Sequence, residues 1–287
     1  MTVQRWLSIS RAACATGLLL WVVLLQACST TKDGPNPVQL RVTQQAQLAA
    51  RAVARADYAQ ARVLYQQALA GAESIEDFPA SATLLINLAW LHSRLGDNAA
   101  ALAKLDRIES SPLRFEPLMV ARAATRRALL LIDLSRVQEA EQSADRASAA
   151  CTNPCELSAT LANVRAQIAL QRGQVSVGLQ HAQWGLDEAL RTTQLAEELN
   201  AWRWLGRAHS LSGQTALAAD ELTRALGLAQ RLGLPERVAA VLTEAGDNQS
   251  RASRADLARE YFERALNVFL ALGDKQGTEH LRKRLGE

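Results

Sequence analysis

Eight side chains in this sequence are of the types that do thiol or imidazole chemistry: Cys14, Cys28, Cys151 and Cys155, and His92, His181, His209 and His280. A thiolate attacks, oxidises or binds soft metals, and an imidazole moves protons or ligates. Spacing decides among these roles. The chain has no H-x3-H and no HExxH. Cys151 and Cys155 supply two ligands where a structural zinc site needs four. No histidine has a carboxylate or thiol partner marked by local sequence, and no glycine-rich phosphate loop follows a strand, because no convincing strand is present. The expectation is a protein that is not an enzyme and holds no cofactor and no metal. His92 and His209 recur at one place in a repeat, which reads as packing between helices.

The thiol with a distinctive setting is Cys28. Arg5 and Arg11 open the chain, no acidic residue comes before Asp33, and an apolar run extends from Ala12 to Leu25. At about 1.5 Å per residue this run is too short for a hydrocarbon core of about 30 Å, and its layout is that of a secretory signal. It ends in Leu25-Gln26-Ala27-Cys28, which resembles the bacterial lipobox, with Gln26 departing from the usual small residue. The resemblance implies cleavage before Cys28 and a diacylglycerol on its thiol, an anchor held by several acyl chains. Ser29 resembles the sorting residue of proteins sent to the outer membrane. The expected division is residues 1–27 as signal peptide, 28–40 as lipidated cysteine and linker, and 41–287 as the folded domain. In an exported protein Cys151 and Cys155, in "CTNPCE", can bridge. Free thiols and redox or metal chemistry are the alternatives. Asn153, Pro154 and Glu156 are spaced as N-cap, first helical residue and capping-box partner.

With Arg5 and Arg11 removed, 32 basic residues less two leave 30 against 29 acidic, a formal charge of +1 in place of +3. A chain this close to neutral lacks the basic footprint of a nucleic-acid binder. With 48% hydrophobic residues and a dominance of Ala and Leu, it reads as helical and folded.

What must position any functional residue is a repeat. Ala61, Ala101, Ala140, Gly178, Ala218 and Ala258 stand 40, 39, 38, 40 and 40 residues apart. Four residues on come Tyr65, Leu105, Ala144, Ala182, Leu222 and Phe262, and twelve residues before come Ala49, Ala89, Ala128, Ala166, Gly206 and Gly246. Small residues here let two antiparallel helices approach, and large ones fill the gap beside them. In the stretch from Trp202 to Leu226, Trp202, Leu205-Gly206, His209, Ala218, Leu222 and Ala225 are similar to the tetratricopeptide repeat. The period exceeds that repeat's usual length of about 34 residues, which implies helices longer by nearly a turn. The expected fold is all-α: a solenoid of antiparallel helix pairs, about six repeats long, with a C-terminal capping helix. Arg127 and Arg165 occupy the place of Leu88 and Leu205, so the third and fourth repeats are expected to pack more loosely or to let the arginine stems snorkel.

The resemblance implies a concave groove lined by the first helix of each repeat, holding a peptide or helix of a protein partner. Some members of that family clamp a C-terminal carboxylate. Asn87 with Arg122 and Arg126 resembles part of that clamp, although Ala46 and Ala50 stand where a lysine and an asparagine belong. Helical spacing places Asn163, Gln167, Arg203, Arg207, Thr243 and Asp247 on the same face, polar and mixed in sign. The expected role is an interaction scaffold or assembly factor, pilotin-like or serving an envelope complex. It would be anchored by lipid to the outer membrane of a Gram-negative envelope and face the periplasm. The alternative is a cell-wall accessory that binds glycan or activates an envelope hydrolase. Few tryptophans (Trp90, Trp184, Trp202, Trp204) would be left for sugar stacking.

Overall fold

The structure, a computed structural model, describes residues 36–111, 113–152 and 154–286. The expectations for the signal, Cys28, Ser29 and Asn153 lie outside the described residues. The chain divides between Leu40 and Arg41 into two units, and the second, Arg41–Glu287, carries the repeats.

Thirteen helices and no strand are found among the described residues. They are α1 (Pro37–Ala54), α2 (Tyr58–Ser74), α3 (Phe78–Arg94), α4 (Asn98–Glu109), α5 (Pro117–Asp133), α6 (Val137–Ala150), α7 (Ser158–Gln171), α8 (Val175–Arg191), α9 (Leu195–Leu211), α10 (Thr215–Arg231), α11 (Pro235–Arg251), α12 (Ala255–Leu272) and α13 (Lys275–Leu285). Consecutive helices pack as hairpins, giving six pairs, and α13 closes the stack. The odd-numbered helices α3, α5, α7, α9 and α11 also touch one another in series. They form an inner layer, backed by the even-numbered helices.

The turns follow one rule. Ala56, Gly96, Ser135, Gly173, Gly213 and Ser253 hold positive φ within the six hairpins. After each, the next N–H reaches back to the fifth residue before it: Asp57 to the Ala52 carbonyl, Asp97 to His92, Arg136 to Leu131, Gln174 to Ala169, Gln214 to His209 and Arg254 to Gln249. This is the Schellman ending, which satisfies carbonyls the helix leaves open. The early repeats start their next helix with an aspartate cap. Asp57, Asp77 and Asp97 accept from the N–H of Gln60, Ala80 and Ala100 at 3.0–3.1 Å.

Packing explains the small residues. Ala49, Ala128, Ala166, Ala61, Ala101, Ala140 and Ala218 are all fully buried. A Cβ on Gly206 would lie 2.7 Å from Leu222, and one on Gly246 would lie 2.4 Å from the Phe262 ring. Glycine stands at those places because the facing side chain occupies the space. Leu281 of α13 is fully buried against Leu242, Phe262 and Leu266, so the final helix covers the last pair.

Three local expectations change. The third and fourth repeats are not loose at their arginines. Arg127 donates to Glu109 at 2.6 Å and to Asp106, and Arg165 donates to Asp145 at 2.9 Å and Ser148 at 3.1 Å. Both reach the preceding hairpin's outer helix, and acids there replace the apolar contact. The helix expected from Pro154 begins at Ser158. Glu156 pairs with Arg122 rather than capping. Cys151 and Cys155 are disulfide-bonded just ahead of this start. At the other end, α1 begins at Pro37, inside the stretch assigned to the linker. Proline suits a first helical position, and the Asn36 side chain accepts from the Val38 N–H at 2.9 Å.

Candidate functional site

The inner helices line two cavities. The first, of about 350 Å³, is formed by α3, α5, α7 and α9 with Arg237 from α11. The second, of about 540 Å³, is formed mainly by α9, α11 and α13. Asn87, Arg122, Arg126, Asn163 and Gln167 line the first, and Arg203, Arg207, Thr243 and Asp247 line the second.

These side chains are not equally available. Arg122 Nε donates to Glu156 at 3.1 Å. Arg203 and Arg207 share the Glu244 carboxylate at 3.4 Å each. Asp247 is paired with Arg284 of the capping helix. Asn163 is 3% exposed. Its amide donates to the Glu197 carbonyl at 3.0 Å and the Glu197 carboxylate at 2.8 Å. Its Oδ1 points at Gly185, where a Cβ would lie 2.8 Å away. Asn163 is therefore a helix-packing group. Asn87, Arg126 and Gln167 make no side-chain hydrogen bond or ion pair with any described residue, which leaves their polar ends to the cavity.

The lumen also contains charges that the spacing argument missed. Arg94, at the end of α3, lies 3.3 Å from Asp274 and 3.4 Å from Glu236, joining the second repeat to α11 and α13 across the interior. Asp133 faces Arg126, Arg203, Arg237 and Arg94. Asp133 is exposed, but the protein around it partly desolvates its carboxyl and raises the pKa, while the four arginines oppose the rise. Burial pushes Arg203 down to about 10, against the pull of Glu244 and with repulsion from Arg237 and Arg207. Burial and repulsion from Arg237 also lower Arg126, opposed by Asp133. Arg237 was legible in one respect: steps of three and seven residues from it reach Ala240 and Glu244, which line the second cavity. Arg94 was not, because its partner Asp274 is 180 residues away.

His209 Nδ1 lies 2.8 Å from Glu221, and His92 Nδ1 lies 3.3 Å from Asp97. Both pairs sit within a hairpin, and neither histidine lines either cavity. Among the described residues, no three His, Cys, Asp or Glu side chains converge to hold a metal.

No protein-family model and no curated protein matches the chain. Solved structures do. A tetratricopeptide repeat protein from Parabacteroides merdae ATCC 43184 superposes with a TM-score of 0.60 at 18% identity, over 99% of this chain and 98% of that one. The fold is a tetratricopeptide-like solenoid. A Rap protein complexed with Competence and Sporulation Factor gives 0.60 at 15% identity, over 85% of this chain and 72% of that one. PilW, described as a widely conserved type IV pilus biogenesis factor, gives 0.55 at 17% identity, over 86% and 99%. At such identities the likeness to other tetratricopeptide-like solenoids is one of fold.

Proposed function

We propose that this solenoid is a non-enzymatic interaction scaffold that takes a segment of a protein partner along its inner face. The supporting observation is the lumen itself. Its lining comes from successive inner helices, and Asn87, Arg126 and Gln167 hold their polar groups there without internal partners. A solenoid of the same fold was crystallised with Competence and Sporulation Factor. These three side chains are half-buried and open to the cavity, so their polar ends are available to bond a ligand in place of water.

We further propose that the scaffold works at the outer membrane of a Gram-negative envelope, on the periplasmic side, tethered through lipid on Cys28. That address rests on residues 5–29 of the sequence. The role we infer there is assembly of an envelope machine, a pilus among them, a reading that the fold likeness to PilW, a type IV pilus biogenesis factor, supports. Glycan binding is disfavoured because Trp204, the tryptophan lining the first cavity, is 4% exposed and offers no open ring face for a sugar.

Crosslinking in intact cells followed by mass spectrometry tests both parts, with Cys28→Ala as the mislocalised control. The expected result is one dominant envelope protein crosslinked to the wild type and lost with the control. Fractionation of Cys28→Ala with the outer membrane would overturn the address. Recovery of cell-wall fragments in place of a protein would overturn the scaffold reading.

A further inference from the structure

We propose that Arg94 is a latch that holds the curved stack closed on itself, and that its release lets the capping end swing away from the second repeat and opens the lumen from the side.

The helices of the stack pack on those nearest in the chain. Arg94 reaches much further. It is the last residue of α3, and its Nη2 lies 3.3 Å from Asp274 Oδ2 and 3.4 Å from Glu236 Oε1. Asp274 is the N-cap of α13, and its other oxygen accepts from the Gly277 N–H at 3.0 Å. Glu236 is in the first turn of α11. The C-terminus of one inner helix thus meets the N-termini of two others from the far end of the chain. Helix dipoles favour a cation at the first kind of end and a carboxylate at the second, so each side of the contact carries the charge its helix end prefers.

The guanidinium is supported before it meets these acids. Tyr58 of α2 stabilises its charge, and the Tyr58 ring stands edge-on to Trp90 of α3 with centroids 6.1 Å apart. Burial lowers the Arg94 pKa, but Glu236, Tyr58 and Asp274 together outweigh it and leave the pKa raised. The contact is also able to part. The Arg94 side chain is 29% exposed, Asp274 16% and Glu236 46%. Charges this close to water are rehydrated on separation and are not stranded, unlike those of a sealed pair. Asp133 of α5 faces Arg94 as well and can take up its charge. A side chain with two alternative sets of partners can bias two discrete arrangements of the elements it joins.

The latch borders both cavities. Asp274 lines the second, and Arg237, next to Glu236, lines the first. A closed stack obliges an extended segment to thread along the lumen, whereas an open one lets it be laid in sideways. This use of the opening rests on the scaffold reading, and the latch itself does not.

The test is the distance between the two arms. Spin labels at Gln66→Cys on α2 and Lys283→Cys on α13 are read by double electron–electron resonance in the full-length chain, with Cys14 and Cys28 replaced by serine. Circular dichroism checks that each variant is folded. The expected parent shows one narrow distance distribution, and Arg94→Gln moves it to longer distances and broadens it. Asp274→Asn combined with Glu236→Gln should give the same shift. Asparagine also caps helices well, so a lost cap does not account for that result. Adding Arg94→Gln to this pair should change nothing further, because all three substitutions remove one contact. Access to the lumen is read at Thr243→Cys, a half-buried position lining the second cavity, in a chain without the two label sites. A maleimide carrying a polyethylene glycol chain should react about tenfold faster or more in Arg94→Gln, as expected when a minor open state becomes the major one. Iodoacetamide, small enough to enter either state, should react at the same rate in both.

An unchanged distance in Arg94→Gln would overturn the latch. So would a broad distribution already present in the parent, or shifts that add when both sides of the contact are removed. A longer distance with an unchanged rate for the bulky maleimide would overturn the opening of the lumen. Failure of the intact-cell crosslinking to find a protein partner would remove the scaffold reading and leave the latch standing.

Discussion

The packing rule of the repeats can be tested at Gly246. This residue lies inside α11 against Phe262 of α12, and a Cβ there would fall 2.4, 2.6 and 3.0 Å from three ring carbons. Carbon atoms in ordinary contact stand about 3.5–4.0 Å apart, so the ring would have to withdraw by roughly 1 Å. It has little room, being 5% exposed and packed with Leu242, Leu266 and Leu281. Gly→Ala within a helix gains about 0.8–1 kcal/mol from propensity, while overpacking a core costs about 1–3 kcal/mol. The expected net loss for Gly246→Ala is up to about 2 kcal/mol, a fall of up to about 8 °C in Tm for a domain of this size. Gly227 is the control. It is also interior to a helix, but nothing lies within 4 Å of its added Cβ, so Gly227→Ala should raise Tm. Phe262→Leu should rescue Gly246→Ala, because the second repeat already uses Ala89 with Leu105 at these two places, both buried. Thermal melts of the two single variants and the double variant form a cycle with an expected coupling of about 1–2 kcal/mol. If Gly246→Ala raises Tm as Gly227→Ala does, the glycine is not set by the facing ring, and the steric account of the repeat is wrong.

Three further outcomes follow from single features. Ser135 holds φ 60°, where Gly96 and Gly213 serve the equivalent turns. A left-handed residue with a Cβ costs about 1–2 kcal/mol, so Ser135→Gly should gain about 0.5–1 kcal/mol after glycine's own entropy cost, read as a higher melting temperature, and Gly213→Ala should lower it. Arg127→Ala should cost about 2 kcal/mol in chemical denaturation, because Glu109 has a side chain 13% exposed and keeps only Arg146 at 3.4 Å. Adding Glu109→Gln should recover part of that loss. Burial raises the Glu221 pKa, opposed by its hydrogen bond from His209. A carboxyl with a raised folded pKa contributes stability below its unfolded pKa and loses it as pH rises through the folded value. Melts of Glu221→Gln against wild type should therefore show a more favourable difference at pH 7 than at pH 4, and the opposite order would contradict the assigned cause.

Repetition made the architecture legible. Each hairpin solves the same packing problem, so Ala61, Ala101, Ala140, Gly178, Ala218 and Ala258 mark the outer helices with a period that survives without any alignment. The turns recur with the same period, since one left-handed residue per hairpin is a local backbone requirement. Counting turns placed Gln167 on the inner face and the family resemblance placed Asn87 and Arg126 there, and all three line the first cavity. What each polar residue does there could not be reached that way. Arg127 and Arg165 looked like flaws in an apolar pattern until the facing acids on the outer helices came into view. Asn163 had the spacing of a groove residue, yet its amide is committed to Glu197 and its carbonyl faces Gly185.

The chain's order of residues therefore determined an all-helical stack of six hairpins and a cap, because helix pairing and turn geometry are set by neighbours within about forty residues. Only the tertiary structure decided how the lumen charges are shared. Curvature brings Arg94 to Asp274, and Arg237 toward Arg126 and Asp133, across repeats far apart in the chain. Electrostatic pairing depends on distance in space, and no periodicity along the chain encodes which distant charges a superhelix folds together.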